Sequence, residues 1–327
     1  MANDITLDKN AVGDEELHIG EHKSEEPKKH KSVDYGKWGL IFVIPFLVAY
    51  LLFTLIPQLL TIGYSFFEYY STGLGTYTMN WVGLQNYIRI FQEGKIFKYF
   101  WNTIVLWVMG AIPQFGIALL LAVIFTSTRL KLKFTGFFKI LFYLPNVIMA
   151  SAFALLFFQI FDKGNGVVNQ ILVHYFNKPE YGFLSHKVSV RLIIAFMNYL
   201  MWFGNTTLVL MAGIQGIDES IFESARIDGA NSWQIFKDMI MPLLKPIFVY
   251  CFITSLIGGL QMFDVPQILT NKAGTPDHTS TTIVMYLSEC TSGKNYGEAG
   301  TISVILFMIT GVLSLFVFKT TNSGDEI

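Results

Sequence analysis

The sequence predicts an all-α polytopic membrane protein with six transmembrane helices. Three observations carry this: 52% of the 327 residues are hydrophobic against 14% charged, the mean hydropathy is +0.46, and the apolar residues gather into six long runs. A soluble domain carries about 25% charge, and a soluble fold would have to bury most of 30 Phe residues with little polar surface to cover them. A net charge of −1 leaves no basic field for nucleic acid, which excludes that class of partner.

A helix needs about 20 apolar residues to cross the hydrocarbon. The runs are Gly39 to Gly63, Trp101 to Thr126, Phe137 to Phe161, Leu192 to Gly213, Pro246 to Thr270 and Gly300 to Phe318. Pro45, Pro57, Pro113 and Pro145 interrupt the first three, which is tolerated where neighbouring helices satisfy the freed carbonyls. Before them, residues 1–37 are hydrophilic and mixed in charge, reading as a cytoplasmic tail and not as a signal peptide with an apolar centre. The expected organisation is that tail, a membrane domain over 38–320 and a short cytoplasmic tail over 321–327.

Lys and Arg outnumber their counterparts on the side of the N-terminus, with Arg129, Lys131 and Lys133 in one short connector and Lys28, Lys29, Lys31 and Lys37 before the first span. Positive charge favours the cytoplasmic side, so both termini are expected there, with Tyr64 to Phe100, Asp162 to Val190 and Asn271 to Ala299 outside. Cys251 lies in an apolar run and Cys290 in a polar one, an unsuitable pair for a disulfide. No phosphate-binding G-x-x-x-x-G-K-[ST], H-E-x-x-H or C-x-x-C occurs, so no ATP hydrolysis, catalytic residue, metal site or bound cofactor is expected of this chain itself.

The connector from Gly216 to Pro246 is dense in helix punctuation. Ser220 with Glu223 forms a capping-box pattern, Gly229 suits the left-handed position after a helix, Asn231 or Ser232 can open a second helix, and Pro242 and Pro246 would end or bend it. Ile221, Phe222 and Ala225 mark one side of the first helix, and Trp233, Phe236, Met239 and Ile240 recur along the second. These faces can dock on a partner or pack against the chain's own spans.

This connector resembles the EAA loop of permease subunits in binding-protein-dependent ABC importers, through Glu223, Ser224, Ala225, Asp228, Gly229, Ala230, Phe236, Pro242 and Pro246. The resemblance implies the type I importer permease fold and a coupling helix that sits in a cleft of a cytoplasmic ATPase subunit. Glu223, Ser224, Ala225, Asp228, Gly229 and Ala230 become the coupling residues, with Glu223 and Gly229 foremost. Implied partners are a second homologous permease, two ATPase subunits that bind ATP and Mg, an external sugar-binding protein, the sugar itself and the lipid bilayer. Trp81 to Tyr87, Asn102 with Thr103, and Leu269 to Pro276 are similar to shorter family stretches, the last pointing to carbohydrate permeases of the maltose, lactose and glycerol-phosphate type. Lys272 and Ala273 depart from that pattern.

A sugar shedding water inside the bundle needs hydrogen-bonding groups and aromatic faces. Asn198, Trp202 and Asn205 share a face of the fourth run, and Gly258, Gln261 and Met262 a face of the fifth; the resemblance places ligand contacts on these two helices. Ordinary packing between membrane helices is the competing account of both groups. Asp264, near the outer end of the fifth run, reads as hydrated, and His174, His186 and His278 as solvated loop residues. Two other functions remain open at this point: a permease of the same architecture for another solute, and a self-contained secondary carrier.

Overall fold

The computed structural model describes residues 36–73, 75–127, 130 and 132–322. The hydrophilic tail up to residue 35, the last five residues, and Arg129 and Lys131 of the basic connector lie outside them. The chain divides into two units, residues 1–54 and 55–327. The first contains α1 (Gly36–Tyr50), whose apolar side chains are exposed, Phe42 by 80%, as is Phe53 in the π turn that follows it.

In the second unit follow α2 (Ile56–Tyr64), a hairpin of β1 (Phe67–Gly73) and β2 (Thr76–Trp81), α3 (Gln85–Glu93), α4 (Lys95–Thr126), α5 (Thr135–Val147), α6 (Ala150–Phe161) and α7 (Val167–Phe176). Then come α8 (Lys187–Gln215), α9 (Glu219–Ile227), α10 (Ser232–Gln234), α11 (Met241–Leu260), α12 (Asp264–Leu269), α13 (Ile283–Ser292) and α14 (Tyr296–Asn322). Among the described residues, five helical stretches are long and apolar enough to cross a membrane: Trp38–Tyr64, Lys95–Thr126, Lys187–Gln215, Ser232–Leu269 and Tyr296–Thr321.

The third expected run, Phe137 to Phe161, is broken. α5 and α6 meet at 90°. Pro145 cannot donate to the carbonyl one turn back, which weakens the last turn of α5. Ile148 and Met149 then take extended backbone, and Asn146 Nδ2 fastens the corner to Met201 O at 3.1 Å. Close approach holds α5 on α8, since a Cβ at Gly204 would lie 1.9 Å from Phe142 O. Gly110 similarly admits the backbone of α8, and Gly259 admits Trp107.

The hairpin is an element the helical reading did not contain. β1 pairs antiparallel with β2 from Phe67↔Trp81, and its aromatic and Thr-rich strands sit on the start of α14, where a Cβ at Gly297 would lie 2.2 Å from Phe67 O. Asn86 Nδ2 donates to Ser65 O and Phe67 O, Tyr87 donates to Ser65 Oγ, and Thr301 donates to Ser65 O. The stretch Trp81 to Tyr87 is therefore tied to the end of α2 and the start of β1.

Two apolar clusters are stacked along α4 and α8. One contains Leu106, Phe153, Val190, Ile194, Met197, Met262, Val265 and Leu269; the other contains Ala111, Phe115, Ala118, Leu210, Ile214, Ala225, Ile235, Leu244 and Cys251.

Candidate functional site: a polar cleft and the loop beneath it

Between the two clusters α4, α8 and α11 leave a cavity of about 220 Å³. Its walls carry Trp107 and Gln114 from α4, Asn198, Trp202, Asn205 and Thr206 from α8, and Tyr250, Thr254, Ser255 and Gly258 from α11, with Met262 at the break before α12. Among the described residues, no Asp, Glu, Lys, Arg or His lines it. A hydrogen-bonded frame joins the three helices: Gln114 Nε2 donates to Thr206 Oγ1 at 2.8 Å, Trp107 Nε1 to Ser255 Oγ at 3.2 Å, and Ser255 Oγ to Gln114 Oε1 at 3.5 Å. Asn198 Nδ2 donates to Ile194 O and to Met262 Sδ at 3.3 Å. Asn205 stands half-buried on the wall. Trp202 and Tyr250 are 47% and 60% exposed and flank the cleft. Such walls offer amide and hydroxyl groups together with indole and phenol faces, the chemistry that replaces water around a polyhydroxylated solute.

Five of the six residues singled out on the fourth and fifth runs, Asn198, Trp202, Asn205, Gly258 and Met262, therefore face one space. Gln261 does not. It follows the last residue of α11, where the chain leaves the helix, and its side chain is exposed outside the cleft lining. Gln114, Trp107, Thr254 and Ser255 were not foreseen. Gln114 carried a legible signal, an amide in mid-span beside Pro113; Thr and Ser bonded to their own helix are common in spans and carry little.

At the loop end, the N-cap of α9 lies two residues before the expected Ser220. Asp218 is the N-cap, accepting from Ser220 N at 3.0 Å, and that hydrogen bond holds its carboxyl below the usual range. A carboxylate at the entrance also suits the helix dipole, which explains why it displaces the Ser220–Glu223 capping box. The end is as the sequence suggests: Gly229 takes φ +84° while Ala230 N bonds Ala225 O and Gly229 N bonds Arg226 O, the paired closure of a Schellman motif. Asn231 then forms a capping box with Gln234.

Pro242 and Pro246 do not end the second helix. A wide π turn over Ile235–Ile240 precedes Pro242, and helix continues through both prolines into α11. The widened turn shifts bonding to i−5 where the ring forbids i−4.

Side-chain placement divides the loop. Glu223, Ser224, Asp228 and Gly229 are exposed, as are Ile227 at 86% and Trp233 at 66%. Ala225 is turned inward, 2% exposed, and Phe222, Ala230, Phe236 and Met239 pack with it. The side marked by Phe222 and Ala225 is thus the inner one, and the outer one is built from Glu223, Ile227 and Trp233. Ala225 and Ile235 share their cluster with Ala111 and Cys251, which line the cleft. The loop and the cleft floor thus belong to one packed cluster.

Helices crossing a bilayer around a polar cleft, with a two-helix loop packed beneath it, define a membrane transport subunit. Residues 114–321 match the family described as binding-protein-dependent transport system inner membrane component, and the chain belongs to that family. It is 30% identical over 286 residues to the lactose transport system permease protein LacF of Rhizobium radiobacter, covering 87% of this chain and 94% of that protein. Identity is also 30% over 292 residues to the multiple sugar-binding transport system permease protein MsmF of Streptococcus mutans, covering 88% and 96%. The fold is similar to that in a crystal structure of a bacterial ABC transporter involved in the import of alginate, with a TM-score of 0.70 at 21% identity over 89% of this chain and 97% of that one.

Proposed function

We propose that this protein is the permease of an ATP-driven importer and translocates a sugar, a di- or oligosaccharide, delivered by an external binding protein. The uncharged, aromatic-flanked cleft carries the reading: its amides, hydroxyls and rings suit sugar hydroxyls and ring faces. Relatives that are permeases of lactose, multiple-sugar and arabinooligosaccharide transport systems support it.

In this reading the loop from Gly216 to Pro246 is cytoplasmic, as are both termini, and its outer face of Glu223, Ile227 and Trp233 docks on an ATPase subunit. Two ATPase subunits hold ATP and Mg, and a second homologous permease completes the pathway on the side where Trp202 and Tyr250 are exposed. Closure of the ATPase pair drives α9, and the shared cluster passes the movement to the cleft floor.

The test is a complex purified with its ATPase and second permease and reconstituted in liposomes with the binding protein outside. Glu223→Ala is expected to lower both sugar-stimulated ATP hydrolysis and uptake, while the binding protein still binds sugar. Transport by this chain alone without ATP, or full coupling in the variant complex, would overturn the proposal.

A further inference from the structure

At the end of the cleft away from α9, the segment 270–282 crosses the ends of α4 and α8 with a backbone under strain. Four of its non-glycine residues, Asn271, Lys272, Asp277 and His278, hold positive φ between 49° and 65°. That region is uncommon for side chains and persists only where surroundings impose it.

What imposes it is a set of side chains reaching in from the two helices. Arg191 Nε and Nη2 both donate to Thr279 O, at 3.0 and 2.8 Å, and Nη2 also donates to Asn102 Oδ1 at 2.6 Å. Asn102 Nδ2 donates to His278 O at 2.8 Å and Thr281 O at 3.2 Å, and Lys98 Nζ to Asp277 O at 2.9 Å. Thr279 Oγ1 is buried with no hydrogen-bond partner among the described residues, a cost that lifting the segment into water would remove.

The segment is joined to the cleft as well. Thr282 Oγ1 donates to Met262 O at 2.8 Å, and Met262 Sδ accepts from Asn198 in the cleft wall. Each helix therefore carries the same three layers: Asn102, Leu106 and Gly110 on α4, and Arg191, Ile194 and Asn198 on α8. The first layer grips the segment, the second is the buried apolar plug, and the third opens on the cleft. Successive layers stand about 4.5–6 Å apart along the axis.

We propose that Arg191 and Asn102 are positioning residues that latch the segment 270–282 over the cleft, and that releasing this latch is the step that opens the cleft on the side of the binding protein. The inference rests on the chain being an importer permease. A strained strip held by a few charge-assisted hydrogen bonds has two discrete arrangements, clamped and lifted, and a docking protein that takes over Thr279 O and its neighbours as partners selects the second. Arg191 suits the role because one rigid guanidinium reaches a carbonyl and an amide oxygen together, which a Lys ammonium does not do with equal geometry.

The experiment measures ATP hydrolysis by the reconstituted complex with and without the binding protein, for wild type, Arg191→Ala, Arg191→Lys and Thr282→Val. The latch predicts that hydrolysis without binding protein rises at least about fivefold in Arg191→Ala, the lower end of ordinary coupling between sites, and less in Arg191→Lys. Thr282→Val, which cuts the link to Met262, is expected to raise it as well, with co-purification of all subunits retained. A residue with a purely structural role would lower assembly and leave unstimulated hydrolysis per complex unchanged. Normal assembly with wild-type unstimulated and stimulated rates in Arg191→Ala overturns the latch. Should Arg191→Ala fail to assemble, Arg191→Lys and Thr282→Val decide: raised unstimulated hydrolysis supports the latch, and unchanged hydrolysis in both overturns it. A wild-type complex that does not respond to binding protein overturns the proposed function, and the latch with it.

Discussion

Single glycines decide how closely these spans approach, and the structure separates those that matter from those that do not. A methyl group at Gly204 would meet a backbone carbonyl at 1.9 Å, which cannot rotate away, whereas nothing lies within 4 Å of a Cβ at Gly311. Gly204→Ala is expected to destabilise the protein by about 1–3 kcal/mol, the usual range for overpacking. Gly311→Ala, in the middle of α14, should be neutral or stabilising by up to about 1 kcal/mol. Thermal unfolding of both variants in detergent checks the pair, and equal shifts would refute the close α5–α8 contact. In the cleft, Asn205 lines the wall, and in the proposed function its amide is a partner for the sugar. Asn205→Leu is expected to raise the KM for sugar uptake about tenfold, roughly 1.4 kcal/mol, the worth of a lost hydrogen bond. ATP hydrolysis without binding protein should stay at the wild-type level, since the residue does not belong to the frame joining the helices.

Among the elements, α9 is one whose C-terminal end the sequence disclosed, because capping is local chemistry. Gly229 was legible for a physical reason, as the position after a helix favours a residue without Cβ. The Asp218 cap was not, since Ser220 with Glu223 offered an equally good pattern and only the chain path chooses between them. The lowered pKa of Asp218 means that the charged cap adds stability above the ordinary carboxylate range, and this contribution is lost as pH falls from there through the lowered folded-state value. At Gly229, φ is +84° with open space around it, so substitution costs backbone strain and no clash. Gly229→Ala is expected to cost about 1–2 kcal/mol in the loop, and Gly229→Asn, which tolerates that conformation, clearly less. Sugar-stimulated hydrolysis should rank wild type, Asn, Ala; an Ala variant as active as wild type would remove the turn from the coupling path. Two larger features escaped sequence reading because they depend on contacts distant in the chain. The 90° break after Val147 needs Asn146 to find Met201 O, and the 67–81 hairpin needs Gly297 to receive it.

For the molecule as a whole, hydrophobic length revealed the spans and the repeated polar positions revealed parts of the α8 and α11 walls of the cleft, yet neither showed how loop and cleft are joined. That depends on which way a nine-residue helix is turned. Ala225 was grouped by sequence with the docking residues, and the structure turns it into the cluster that floors the cleft, while Ile227 two residues on points out. This division yields a prediction that separates docking from transmission. Ile227→Ala removes an outer apolar contact and should weaken association with the ATPase, seen as a higher ATPase concentration needed for half-maximal assembly, with normal coupling once assembled. Ala225→Leu instead wedges α9 away from Ala111 and Leu210 at an overpacking cost of about 1–3 kcal/mol. It should leave ATPase association nearly unchanged, because the outer face is untouched, but lower the sugar transported per ATP hydrolysed, because the movement no longer reaches the cleft floor. If Ala225→Leu instead abolished association and Ile227→Ala uncoupled the assembled complex, the inner and outer faces of α9 would have to be exchanged, and the shared cluster would lose its place in the coupling path.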